Sequence, residues 1–177
     1  GVTRLCYAGS TLQSTPQSVI NGRAPIQLGA ELFGSSAIEA DTEIIGLMLS
    51  TFECAGVNRP LILDIGHIGI YDALFTDAGL DPEVEDQVFD ALQRKSVPDI
   101  ERLSGSLPAR EAERLSQLAA LHGSPDVLAS ARAAFLDDPA VMAALDQLDT
   151  VLAGVQQAFP DVGVYVDLTE LRGFRYH

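Results

Sequence analysis

The chain has 177 residues, 47% hydrophobic and 20% charged, which describes one globular domain of ordinary size and excludes an intrinsically disordered segment. A net charge of −14 repels phosphate backbones, and the eleven Lys and Arg are scattered rather than clustered, so nucleic acid is excluded as a partner while a basic protein remains compatible. No apolar run approaches the roughly 20 residues of a membrane span and no signal-peptide pattern is present, so a cytoplasmic protein off the membrane is expected.

Val2 to Ala8 alternates as a strand, with Leu5 and Tyr7 on one face and Arg4, Cys6 and Ala8 on the other. Gly9 to Ala24 is polar and aperiodic and reads as a long hairpin loop. The stretch Pro25 to Gly34 is the second strand, with two unlike faces. Ile26, Leu28, Ala30 and Leu32 form an apolar stripe suited to packing against helices, while Gln27, Gly29 and Glu31 point the other way. Gly29 is expected to leave the space between the two polar side chains clear, with Cα atoms of Gln27 and Glu31 about 13 Å apart at the usual strand rise. Such a face can floor a pocket for a small polar cation. It equally describes a half-exposed strand whose Gln and Glu face water.

Ser35 and Ser36 offer an N-cap for a helix through about Ala55, and Gly56 stops it. Cys6 and Cys54 sit among apolar residues with no ligand spacing near them, so they read as reduced core thiols, and no spacing favours a bridge between them. Leu61 to Gly66 is a short buried-type strand, with Asp64 read as structural and His67 as a capped strand end. Ile68 to Asp77 starts a helix that Gly79 ends. From Asp81 to Phe159 the chain is helical, with three start signals of one type, Asp81-Pro82, Ser124-Pro125 and Asp138-Pro139. Val97 to Gly105 and Pro108 to His122 are two of these helices, and His122 reads as a surface residue. Val162 to Leu171 returns to strand, with Val164, Val166 and Leu168 inward and Tyr165, Asp167 and Thr169 on a polar face. The fold class is therefore α+β, a largely antiparallel sheet flanked by helices with a helical insertion. No glycine-rich phosphate loop occurs, and neither a cofactor nor a metal is expected. Neither end resembles a domain boundary, so a fragment of a longer chain is expected.

Two stretches on opposite sides of the helical region carry a resemblance. Arg4 to Gly34, ending Gln27-Leu28-Gly29-Ala30-Glu31-Leu32-Phe33-Gly34, resembles motif 2 of the histidine-specific branch of class II aminoacyl-tRNA synthetases. Leu171-Arg172-Gly173-Phe174-Arg175-Tyr176-His177 resembles the histidine-binding segment of those enzymes, Arg-Gly-Leu-Asp-Tyr-Tyr in true synthetases. The resemblance implies one partial class II synthetase-like domain over 1–177: a motif 2-like hairpin (1–34), a helix–strand–helix core (35–80), a helical insertion (81–160) and a returning strand with the histidine-binding-like segment (161–177). Motifs 1 and 3 are missing. Where an active synthetase carries the motif 2 arginine that holds the ATP α-phosphate, this chain has Gln13, which offers neither a delocalised charge nor a two-pronged grip. The chain is more similar to the non-catalytic paralogue family, the regulatory subunits of ATP phosphoribosyltransferase, in Gly29 to Gly34 with Ile38 to Asp41, in Leu63 to Ile70 and in Asp167 to Gly173.

That resemblance implies a histidine site: Gln27 to the α-ammonium, Glu31 to the imidazole and Arg172 to the carboxylate. Tyr176 and His177 lie at the imidazole end, where they depart from the family pattern. On the residues alone, Arg172 could instead pair with Asp167 or Glu170, and Tyr176 and His177 could be purely structural. The implied role is regulatory: assembly with a short catalytic subunit, activation of it, feedback inhibition by histidine, and self-association as a dimer. The alternatives are a histidyl-tRNA synthetase fragment and a scaffold with an empty pocket.

Overall fold

The computed structural model describes residues 1–12, 24–76 and 78–171. They form two compact units, Gly1–Asn58 and Arg59–His177.

The first unit is a hairpin and a helix. β1 (Thr3–Ser10) pairs antiparallel with β2 (Ile26–Phe33), with Tyr7 opposite Gly29 and Leu5 opposite Glu31. α1 (Ile38–Cys54) follows, with Ala37 as its N-cap and no side-chain cap; Ser35 Oγ accepts from the Ala37 amide just upstream at 3.2 Å. Arg4 forks onto Glu43 of α1, an exposed pair that contributes little in water. The apolar stripe of β2 is used unevenly: Ala30 and Leu32 are half-buried, whereas Ile26 and Leu28 stay 80% and 68% exposed. Cys6 and Cys54 are free, as expected, but exposed, so the core placement is corrected: one stands on the open hairpin and the other in the last turn of α1.

The second unit holds the large core. β3 (Ile62–Ile65) leads into α2 (Ile68–Tyr71), which widens into one π-helical turn at Asp72–Thr76 in place of a continuous helix. His67, read as a capped strand end, is instead the N-cap of α2: its Nδ1 accepts from the Gly69 amide at 3.1 Å, and its Nε2 meets Gln147 Oε1 at 2.9 Å. Then come α3 (Pro82–Gln93), α4 (Val97–Ser104), α5 (Ala109–Ala119), the two-residue strand β4 (His122–Gly123), α6 (Val127–Ala134), α7 (Pro139–Ala158) and β5 (Gly163–Asp167). Two of the three start signals work as expected. Asp81 accepts from the Glu83 amide and Asp138 from the Val141 amide, each ahead of a proline in the first turn. At Ser124-Pro125 the reading is corrected: Ser124 turns onto Asp126, and α6 begins at Val127.

Apolar stripes at helical spacing fill this unit: Leu92, Leu115, Leu118, Leu145 and Phe75 have no exposed surface. Arg114 ties three elements together, donating to the Leu74 carbonyl at 3.3 Å and to Asp138 at 2.8 Å. The sheet order is β3-β5-β4, with β3 parallel and β4 antiparallel to β5. Among the described residues the β3–β5 pairing is parallel and the β1–β2 and β4–β5 pairings are antiparallel. Among the described residues no helix is long and apolar enough to cross a membrane.

Candidate functional site

The first candidate surface is one face of the hairpin. Strand periodicity puts Gln27, Gly29 and Glu31 on it, and the antiparallel register adds Leu5 and Tyr7. Gln27 and Glu31 are both exposed, as a ligand floor requires. The expected clear space at Gly29 is corrected: the Tyr7 ring occupies it, so closely that a Cβ on Gly29 would overlap the ring. An aromatic side chain directly opposite a strand glycine can lie flat over it because no side chain opposes it there. Gln27 Nε2 donates to Tyr7 Oη at 3.1 Å. Tyr7 therefore stands between the two polar groups, fixed at one edge by Gln27. Sequence reasoning missed it. The available signal was Gly29, a glycine in the middle of a strand, which marks close approach of another group.

The second candidate surface lies where β5 ends, immediately upstream of Arg172. Asp167 and Thr169 were expected on a polar face; both are buried, Asp167 with no exposed surface at all. The reason is a closed hydrogen-bond set. Asp167 Oδ1 accepts from the Thr169 amide at 2.9 Å and hydroxyl at 2.7 Å, and Oδ2 takes the Lys95 ammonium. The Glu170 amide returns to the Asp167 carbonyl at 3.1 Å, closing a tight turn. Burial pushes the Asp167 carboxyl up, but the Lys95 and Thr169 contacts outweigh it and hold the group below the ordinary carboxylate range. Hydrogen bonding to Asp167 raises Lys95 correspondingly.

Lys95 reaches Asp167 from an unusual backbone. The helix α3 ends in a Schellman motif: the Lys95 amide donates to the Leu92 carbonyl at 2.9 Å and the Ser96 amide to the Ala91 carbonyl at 3.0 Å. Lys95 has φ 53°, at the left-handed position where glycine is usual. Beside it opens a cleft of about 620 Å³, lined by Leu92, Val97, Ile100, Ala119, His122 and Thr169 among others. Among its polar members, His122 is exposed, as expected, and its Nδ1 meets Tyr165 Oη at 2.7 Å.

Of the five residues expected to hold histidine, Gln27 and Glu31 share one face. Arg172, Tyr176 and His177 lie outside the described residues, as does Gln13. Asp167, one of the two acidic residues read as alternative partners of Arg172, is held by Lys95.

The comparisons agree with this architecture. The family model described as histidyl-tRNA synthetase matches residues 1–177. ATP phosphoribosyltransferase regulatory subunits of Ectopseudomonas mendocina and Marinobacter nauticus are 47% and 48% identical over the whole of this chain, which spans 45% of each relative's length. A crystal structure described as an ATP phosphoribosyltransferase regulatory subunit/histidyl-tRNA synthetase from Bacillus halodurans superposes with a TM-score of 0.76 at 27% identity, covering 94% of this chain and 43% of that one. A Thermotoga maritima ATP phosphoribosyl transferase (HisG:HisZ) complex chain shares the fold, with a TM-score of 0.70 at 22% identity over 97% of this chain and 59% of that one. The chain belongs to the histidyl-tRNA synthetase family, and within it resembles the ATP phosphoribosyltransferase regulatory subunits.

Proposed function

We propose that this chain is part of a non-catalytic regulatory subunit of ATP phosphoribosyltransferase, which activates a short catalytic subunit and conveys feedback inhibition by histidine. The observation that carries this reading is the 47–48% identity to proteins of that name along the whole chain. The hairpin face supports it chemically. Glu31 can accept from an imidazole N–H, and Gln27 can accept from an ammonium through its carbonyl. Arg172, by resemblance, would grip the carboxylate with two parallel N–H bonds. Tyr176 and His177 would close the imidazole end. Gln13 in place of the phosphate-binding arginine removes the group that adenylation needs.

Histidine transmits a signal only if it binds one assembly state better than another. The test uses the full-length protein with a short-form catalytic subunit, assaying phosphoribosyl transfer with and without it and then titrating histidine. We expect activation that histidine reverses. Glu31→Ala should raise the half-inhibiting histidine concentration about 10- to 100-fold, the worth of a charge-assisted hydrogen bond. Absence of both activation and histidine response would reject the reading, and formation of histidyl-adenylate by the protein alone would replace it with the synthetase.

A further inference from the structure

We infer that Lys95 is a positioning residue for the ligand's carboxylate: by occupying the buried Asp167 carboxylate, it keeps Arg172 from being captured by its own chain. The inference rests on the regulatory reading above, in which Arg172 meets the carboxylate of histidine. It brings in a residue of the helical region that the reading leaves out.

A guanidinium grips any carboxylate it can reach, and one on its own chain is always present at high effective concentration. Asp167 is such a rival. It stands five residues before Arg172 and is buried, so water does little to screen its charge. Glu170 is nearer in sequence but partly exposed, so its pull on a cation is weaker. An Asp167 without a cation would therefore draw Arg172 away from a ligand.

Both Asp167 oxygens are already taken. Oδ1 accepts from the Thr169 amide and hydroxyl, and Oδ2 takes the Lys95 ammonium. The two Thr169 bonds come from neutral donors and leave the charge in place; the lysine cancels it. Lys95 stands at the end of α3, 72 residues before Asp167, so its hold owes nothing to the segment that carries Arg172. Its backbone points the same way. At φ 53° glycine would sit without strain, so what position 95 contributes is the side chain. Asp64 and Glu170 also act on this ammonium, which places it among carboxylates that it can neutralise.

The test measures L-histidine binding to the full-length protein by calorimetry, with the unfolding midpoint of each variant recorded beside it. Lys95→Met removes the cation and leaves Asp167 charged. If Arg172 is then captured nine times in ten, one molecule in ten stays competent and affinity falls about tenfold. Lys95→Gln, which can still donate one hydrogen bond, is the gentler variant of the same test and should also lose affinity. Asp167→Asn keeps the oxygen that accepts from Thr169 and removes the competing charge. It should lower the unfolding midpoint yet bind L-histidine within about twofold of wild type, and Lys95→Met combined with Asp167→Asn should recover that affinity. A merely structural role would instead make affinity follow stability across the set. The inference fails alone if wild type binds L-histidine and the Lys95 variants bind it equally well, if Asp167→Asn weakens binding as much as Lys95→Met, or if the double variant recovers nothing. If wild type does not bind L-histidine, the histidine site itself is wrong and the inference falls with it.

Discussion

Gly66→Ala should destabilise the second unit by about 3 kcal/mol, at the upper end of what overpacking a core costs. Gly66 follows β3 and has no side chain where the Asp167 carbonyl approaches; an added Cβ would overlap that oxygen and crowd Glu170 Cβ at 3.1 Å. The carbonyl cannot simply step aside. It accepts from the Glu170 amide, and the side chain of the same residue is fixed by Thr169 and Lys95. Gly163→Ala is the matched control, since a Cβ there meets Ile62 Cγ1 and the Leu61 carbonyl at an ordinary 3.5 Å. Denaturant unfolding of both variants should show the loss at Gly66 and a change within about 0.5 kcal/mol at Gly163. Equal costs at the two positions would contradict the close approach.

The second large effect is expected at Lys95. Lys95→Ala leaves a fully buried carboxylate without its cation, and about 2 kcal/mol should be lost; the half-exposed lysine holds this below the usual cost of breaking a buried pair. Lys95→Gly should cost about 1 kcal/mol less than Lys95→Ala, because glycine adopts φ 53° without a Cβ clash. The difference isolates the backbone strain that the native lysine carries. The pH dependence follows from the two shifts. Asp167 is held below its ordinary value, so its stabilisation is complete above roughly pH 4 and is lost as pH falls through the depressed folded value. Lys95 is raised, so its share is complete below roughly pH 10.4 and is lost only at higher pH. The stability gap between wild type and Asp167→Asn should therefore be widest in the neutral range and shrink in acid. An unchanged gap at pH 3 would show that the ion pair is not what stabilises this turn.

What the sequence made legible was local. The Asp81-Pro82 and Asp138-Pro139 starts were readable because a capping carboxylate and a proline act within one turn. The alternation of Ile26 to Phe33 placed Gln27 and Glu31 on one face because strand periodicity needs no distant partner. What could not be read depends on pairing across long separations. Tyr7 lies over Gly29 only because of a register set across the long hairpin loop. The burial of Asp167 depends on Lys95, 72 residues earlier, at a helix end where local rules call for glycine. Likewise β4 is two residues long, too short to show any alternation, and exists because His122 and Gly123 find β5. The α2 segment reads as one helix because a single π turn, with one residue more than an α turn, is too short to break the helical pattern of apolar residues.

The parallel pairing of β3 with β5 also sets the order in which the second unit can assemble. The two strands are separated by about a hundred residues, so their ladder is a contact of very high sequence separation that an unfolded chain forms slowly. The helices between them carry most of the buried cluster and are joined by short connections. A helical nucleus should therefore condense first and carry β5 back to β3, with the ladder closing on the native side of the transition state. Leu115→Ala, in that nucleus, should mainly slow refolding, whereas Leu63→Ala, in β3, should mainly speed unfolding. Stopped-flow chevrons for the two variants read this directly, and the opposite assignment would place the sheet, not the helices, at the start of folding.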